Sequence, residues 1–244
     1  MGRTYAILGD IHANVDALRA VLEDARANGA THYACVGDVV GYNAAPSECI
    51  SIVRDELKCP VVCGNHDRYV SSNMSLTDFH PVAALVVEWT RRQLKPEELA
   101  WLRGLPMQRP VMGFTLVHST LDMPEHWGYV FDSLQASANF VYQKTPVCFH
   151  GHTHVPIVYE ESAMGALCLP PESFKLPSGK KFFVNVGSVG QPRDGDSRAS
   201  YVLYDTASRE LRFRRVEYDL GRAQARIREA GLPERCATRL ATGS

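Results

Sequence analysis

Residues 4–41 read TYAILGDIHANVDALRAVLEDARANGATHYACVGDVVG, and one pattern occurs in them twice. Thr4–Leu8 is a short apolar run ending at Gly9-Asp10, and His32–Val36 is another ending at Gly37-Asp38. Between them Val15, Leu18, Val21, Leu22 and Ala25 recur with a helical period, opened by the capping residue Asn14 and closed by Gly29. Strand, helix and strand in this order predict parallel strands joined by a crossover helix. A further copy follows: Pro46 opens a helix through about Leu57, and Pro60–Cys63 is a strand ending at Gly64-Asn65. The intervals from Asp10 to Asp38 and from Asp38 to Asn65 are 28 and 27 residues, close to the roughly 30 of one such unit. Three parallel strands would present Asp10, Asp38 and Asn65 together at their carboxyl edge, where open α/β sheets hold ligands.

Working outward, Phe79–Leu94 and Pro96–Leu105 read as helices separated by Lys95-Pro96. Short strands follow at Arg109–Met112, Phe114–His118 and Tyr129–Phe131, then a helix over Leu134–Lys144 and a strand over Pro146–Phe149. The remainder is mostly β: Val155–Glu160, Lys181–Val186, Ala199–Tyr204 and Leu211–Tyr218. Residues 161–180, rich in Pro, Gly and Ser, predict an exposed excursion, and residues 221–244 predict closing helices. A chain of 244 residues with no linker-like stretch is expected to form one domain, 1–244.

The formal net charge of −1 gives no basis for a nucleic-acid polymer or a membrane surface as partner. The seven cysteines are scattered and contain no CxxC pair, and the N-terminus enters a strand without a secretory apolar stretch. Reduced thiols and a cytoplasmic location are the expectation.

Histidines cluster at the same kind of strand end. They occur in Gly-Asp-Ile-His (9–12), Gly-Asn-His-Asp (64–67), Val-His (117–118) and Gly-His-Thr-His (151–154), while Asn-Val-Gly-Ser lies at 185–188. Oxygen and nitrogen donors without thiolate suit divalent cations of hard to borderline character. Asp10 and His12 alternate as they leave a strand, so both could chelate one ion, although a lone D-x-H is more often a turn and a surface ring. His66 beside Asp67 makes a proton donor with a carboxylate to orient it and favour its charged form. Arg193, in Gly-Ser-Val-Gly-Gln-Pro-Arg-Asp-Gly-Asp (187–196), either clamps a phosphoryl oxygen or pairs with Asp194 or Asp196 in a surface turn. Tyr42 and Asn43 follow the second motif and could line a substrate pocket, as could Trp127 and Tyr129; for the aromatics, packing is the plainer alternative. His32, His80, His126 and His150 lack such company and read as structural or surface.

The motifs and their order over roughly residues 4–205 resemble the calcineurin-like metallophosphoesterases. That resemblance implies an α/β fold of two mixed β-sheets packed as a sandwich flanked by helices. It implies two divalent metal ions, Mn first, with Fe, Co, Ni, Zn or Mg as alternatives. Carried over residue by residue, Asp10, His12, Asp38 and His154 take one ion, and Asp38, Asn65, His118 and His152 take the other. His66 would face the scissile oxygen. Two divalent ions against two aspartates and a bridging hydroxide leave a positive site, suited to phosphoryl oxygens and to in-line attack. The expected substrate is small and phosphorylated, with a nucleotide as one option. Dinucleoside polyphosphate hydrolysis, protein dephosphorylation and a non-catalytic metal-binding scaffold are the alternatives.

Overall fold

The computed structural model describes residues 2–77 and 80–244. Strand β1 (Thr4–Leu8) and strand β2 (His32–Cys35) pair in parallel, with α1 (Val15–Ala27) crossing between them. Asn14 caps that helix by accepting from Ala17 N–H at 3.1 Å, as the sequence predicts. The helix opened by Pro46 is α2 (Pro46–Ser51), which continues as a π-helical stretch over Ile52–Leu57. The expected third strand is shorter than its sequence suggests. Only Val61 bridges to Cys35, because Pro60 has no N–H to extend the ladder and Cys63 N–H turns away to Pro106.

Next come α3 (Asn65–Ser71), α4 (Pro81–Gln93) and α5 (Pro96–Arg103). Phe79, where the sequence predicts the start of a helix, lies outside the described residues. The remaining elements are β3 (Gln108–Val111), β4 (Phe114–Val117), α6 (Ser133–Tyr142), β5 (Val147–His150), β6 (Ile157–Ser162), β7 (Gly165–Leu169), β8 (Phe174–Lys175), β9 (Phe182–Asn185), β10 (Ala199–Asp205), β11 (Glu210–Val216), α7 (Leu220–Glu229) and α8 (Glu234–Thr242). Residues 161–180 are more ordered than expected. They close the β6–β7 hairpin through Gly165, whose φ of 118° only glycine takes readily, and then supply β8. The expected strand at Tyr129–Phe131 does not form; Tyr129 stacks instead on the rings of Phe131 and His152.

One sheet runs β2-β1-β10-β11-β8 and the other β3-β4-β5-β9-β6-β7, both mixed. Strand alternation assigns the layers. Ala6 and Leu8 face α1 and α2, whereas Tyr5 and Ile7 face the second sheet and meet Phe114, Leu116, Phe149 and Val184. Tyr5 and Phe114 touch edge to face with ring centroids 5.1 Å apart. Helix α6 covers the outer face of the second sheet through Ala136 and Phe140. The result is the four-layer α/β arrangement of two mixed sheets flanked by helices. Each fully buried Ile, Leu or Phe between the layers contributes about 1.5–3 kcal/mol. Among the described residues no helix is long and apolar enough to cross a membrane.

Candidate metal centre

The loops that leave β1 and β2 run side by side. Asp10 N–H donates to Gly37, His12 N–H to Asp38 and Ala13 N–H to Val39, all at 2.9–3.1 Å. A third loop locks on from the opposite direction, where Val189 and Gly190 donate to the carbonyls of Gly9 and Asp10. Ser188 Oγ donates to the same Asp10 carbonyl at 2.8 Å and so shapes that loop. From the second sheet, Gly151 N–H donates to His118, which joins the ends of β4 and β5. Close approach of these loops depends on glycine: a methyl at Gly64 would overlap Asp38, and one at Gly151 would overlap Asp10.

Asp10, His12, Asp38, His152 and His154 all have positive φ, between 48° and 69°. This left-handed backbone costs about 1–2 kcal/mol per residue, and Asp, Asn and His tolerate it better than most. It aims five side chains into one volume.

Two constellations result. In the first, the Nε2 atoms of His12 and His154 face each other at 3.1 Å, and Asp10 Oδ1 lies 3.3 Å from the latter and 3.9 Å from the former. In the second, His118 Nε2 lies 3.1 Å from Asn65 Oδ1 and 3.2 Å from His152 Nδ1. Asp38 Oδ2 stands between them, 3.6 Å from His12 Nε2 and 3.4 Å from His118 Nε2. Its other oxygen accepts from His66 N–H at 2.8 Å. Bridging geometry therefore falls to one oxygen rather than to both.

The far nitrogen of each ring reveals what the near one does. His12 Nδ1 donates to Val40 O (3.0 Å), His118 Nδ1 to Val36 O (2.9 Å), His154 Nδ1 to Gln191 O (2.6 Å) and His152 Nε2 to Trp127 O (2.9 Å). A carbonyl can only accept, so each ring spends a proton on its outer side. Burial holds His12 and His154 below their ordinary value, hence neutral, with lone pairs pointing at one another. A cation satisfies that arrangement and a hydrogen bond does not. In the second group burial pushes His118 down, but Asp38 and Asp10 outweigh it and lift the ring to about 9. Its single Nε2 proton would then face three acceptors, on Asp38, Asn65 and His152. The donor set fits metal ions at both positions.

His66 enters from the first turn of α3, with its ring 4.9 Å from that of His12 and 4.5 Å from that of Tyr42. Burial pushes it down to about 4 even though Asp38 pulls the other way, so the neighbouring carboxylate does not favour the charged ring as expected. Nor do Asp67's hydrogen bonds go to that ring. Asp67 Oδ2 accepts from Gly64 N–H at 3.0 Å and Oδ1 from Val39 and Val40 N–H at 2.9 and 3.3 Å. It therefore braces the 38–40 loop against the start of α3.

Two cavities open beside the centre. One, of about 240 Å³, is lined by Asn65, His66, His152, Trp127, Tyr42 and Tyr129. The other, of about 280 Å³, includes Arg193. Arg193 does not pair with Asp194 or Asp196, which bind Arg215 and Arg198 instead; its guanidinium lies 5.5 Å over the Tyr42 ring. Asn43 corrects the sequence reading: it is buried and lines neither cavity. Its Nδ2 donates to the His12 carbonyl at 2.9 Å and supports that loop. His80 lines both cavities, and Arg235 and Arg239 line the larger one.

The metal-free chain should lose stability in acid. His66, His150 and His152 are held by burial to about 4, 3 and 3. Between those values and the unfolded value of about 6.5 the unfolded chain binds more protons, so stability falls as pH falls through that window. Each ring contributes about 1.4 kcal/mol for every pH step of one between its folded and unfolded titrations. His118 acts in the opposite sense: its contribution is complete below about 6.5 and is lost as pH rises through about 9. Thermal melts in chelator should therefore peak near neutral pH and drop steeply by pH 5. A melting temperature flat from pH 7 to 5 would refute this.

Residues 4–209 match the calcineurin-like phosphoesterase superfamily domain. The chain belongs to that superfamily. This phosphoesterase is 38% identical over 242 residues to an uncharacterized protein of Methanocaldococcus jannaschii, covering 98% of this chain and 97% of that one. A solved metallophosphoesterase from Sphaerobacter thermophilus is 39% identical with a TM-score of 0.89, covering 100% of both chains. A hypothetical protein from Pyrococcus horikoshii OT3 shares the fold, with 20% identity and a TM-score of 0.78 over 99% of this chain and 98% of that one. The phosphoesterase is thus a phosphoric ester hydrolase of a metal-dependent family, with candidate metal donors in place.

Proposed function

We propose that this phosphoesterase binds two divalent cations, manganese foremost, and hydrolyses an ester of a small phosphorylated molecule. The observation that carries the reading is the single oxygen of Asp38 standing between two sets of converging donors, at 3.6 and 3.4 Å from their nearest nitrogens. Asp10, His12 and His154 would hold one cation with that oxygen, and Asn65, His118 and His152 the other. Bound there, such a pair polarises the phosphoryl group and lowers the pKa of a nucleophilic water.

The chain's own residues supply the rest. His66 lines the cavity beside the centre, and its role in this reading is to protonate the leaving oxygen. An incoming phosphoryl group adds the negative charge that draws a proton onto this otherwise neutral ring. Asp67 fixes the turn from which His66 projects. Arg193 and Tyr42 form the wall beyond it, the guanidinium carbon 5.5 Å from the centre of the phenol ring. All seven cysteines are free, in keeping with a reducing, cytoplasmic setting. None is needed as nucleophile, since burial pushes the Cys63 thiol, beside the site, above its usual range.

Chelated protein reloaded stepwise with Mn should recover turnover of p-nitrophenyl phosphate or bis-p-nitrophenyl phosphate only as the second equivalent binds. Full turnover with one equivalent at saturation would overturn the bridged pair. Turnover of no phosphomonoester, phosphodiester or dinucleotide with any of Mn, Fe, Co, Ni, Zn or Mg would favour the scaffold instead.

A further inference from the structure

One wall of the larger of these two cavities comes from a part of the chain that the metal centre does not use. Helix α8, which lies beyond residues 4–209, is anchored through Cys236, Ala237 and Leu240 against Val86 of α4 and Ile227 of α7. Arg235 and Arg239, one helical turn apart, line the same cavity as Arg193. The acids nearest in sequence are committed elsewhere: Asp194 to Arg215, Asp196 to Arg198 and Glu234 to Arg228. Arg239 Nε donates to the Ser244 carbonyl and Arg193 Nη2 to Gln191 Oε1. The Nε of Arg193 is buried with no hydrogen-bond partner. Among the described residues no carboxylate lines the cavity, the guanidinium groups repel one another, and burial together with Arg193 lowers the Arg239 pKa.

The cavity adjoins the reaction site. Tyr42, Tyr129 and His80 wall both spaces. The Tyr42 ring is 4.5 Å from the His66 ring and 5.5 Å from the Arg193 Cζ, so no more than the sum of those lengths separates the two groups. We propose that Arg193, Arg235 and Arg239 form a subsite for a second phosphoryl group of the substrate, one that is held while the other is cleaved. The substrate class is therefore a small molecule bearing at least two phosphoryl groups. Planar guanidinium forks suit phosphate oxygens, and a rigid helix presents two of them. This assignment rests on the phosphoryl-transfer reading of the centre.

The test uses the metal-loaded enzyme. Inorganic phosphate, titrated calorimetrically, should bind at two sites per chain in the wild type and at one in Arg235→Ala/Arg239→Ala. The ratio of kcat/KM for a sugar or nucleoside bisphosphate to that for its monophosphate should fall at least tenfold in the double variant. It should fall by a smaller factor in Arg235→Ala, an exposed helix position that does not threaten folding. Arg239→Lys, which keeps the charge, should restore part of the loss. An unchanged ratio in both alanine variants would overturn the proposal. If phosphate stoichiometry drops while the ratio holds, the pocket takes free phosphate and not a group of the substrate. A chain that hydrolyses no ester yet loses one phosphate in the variant would fail the hydrolytic reading alone.

Discussion

Asp38→Asn should remove most bound metal and lower kcat by about three orders of magnitude, while leaving the metal-free fold at least as stable as the parent. Asparagine tolerates the left-handed φ of 52° at this position, so the turn survives. Its Oδ1 still accepts from His66 N–H, the contact at 2.8 Å. The change falls at Oδ2, where an amide N–H₂ replaces an acceptor within 3.6 and 3.4 Å of the His12 and His118 nitrogens. The lone pair of the neutral His12 then finds a donor within the protein and competes with the cation, while His118 loses the carboxylate that lifts its ring. Metal contributions to phosphoryl transfer amount to several kcal/mol, and about 1.4 kcal/mol is tenfold in rate. Asp10→Asn, away from the bridging position, should keep more metal. Elemental analysis, melts in chelator and single-turnover rates check the set. Two ions retained with near-parental rate would remove the bridging role.

His66→Asn should lower kcat on an alkyl phosphate by about 10²–10⁴-fold, the usual range for a lost acid. On p-nitrophenyl phosphate the loss should shrink sharply, because that leaving group departs without a proton. Metal content separates this role from ligation, which the geometry also permits. A His66 nitrogen lies within 4.8 Å of donor atoms on His12 and Asp38. Full metal with substrate-dependent loss supports the acid. Metal loss together with equal losses on both esters would make His66 a ligand.

Much of this site is legible in the sequence because its residues end strands. Gly-Asp at 9–10 and 37–38 closes two short apolar runs, and parallel pairing of those runs brings Asp10 and Asp38 together whatever follows. The strand ends at His118 and Gly151 work similarly from the second sheet. Elsewhere tertiary contacts override local pattern. Helix α3 escapes a sequence reading because it has only seven residues and its Gly64 cap has no side chain to announce it. Asn43 looks like a pocket residue by its neighbour Tyr42, yet its amide is spent on the His12 carbonyl. Residues 161–180 carry loop composition but pair along sheet edges, a gain that composition does not encode. Arg235 and Arg239 bear no local signal; only the docking of α8 against α4 and α7 brings them to Arg193.

The left-handed turns also shape how such a chain can drift. Asp, Asn and His share a codon plan, A in the middle and a pyrimidine last, so one base change interconverts any pair of them. They are also the side chains, besides the glycine already at neighbouring positions, that this backbone accepts with least strain. At residues 10, 12, 38, 152 and 154 two of the three first-base changes therefore preserve the turn and alter only the donor. A lineage can silence the chemistry in one step and keep the scaffold folded, soluble and available for another use. An asparagine at any of these five places in a homologue is then expected to mark weakened chemistry on an intact fold.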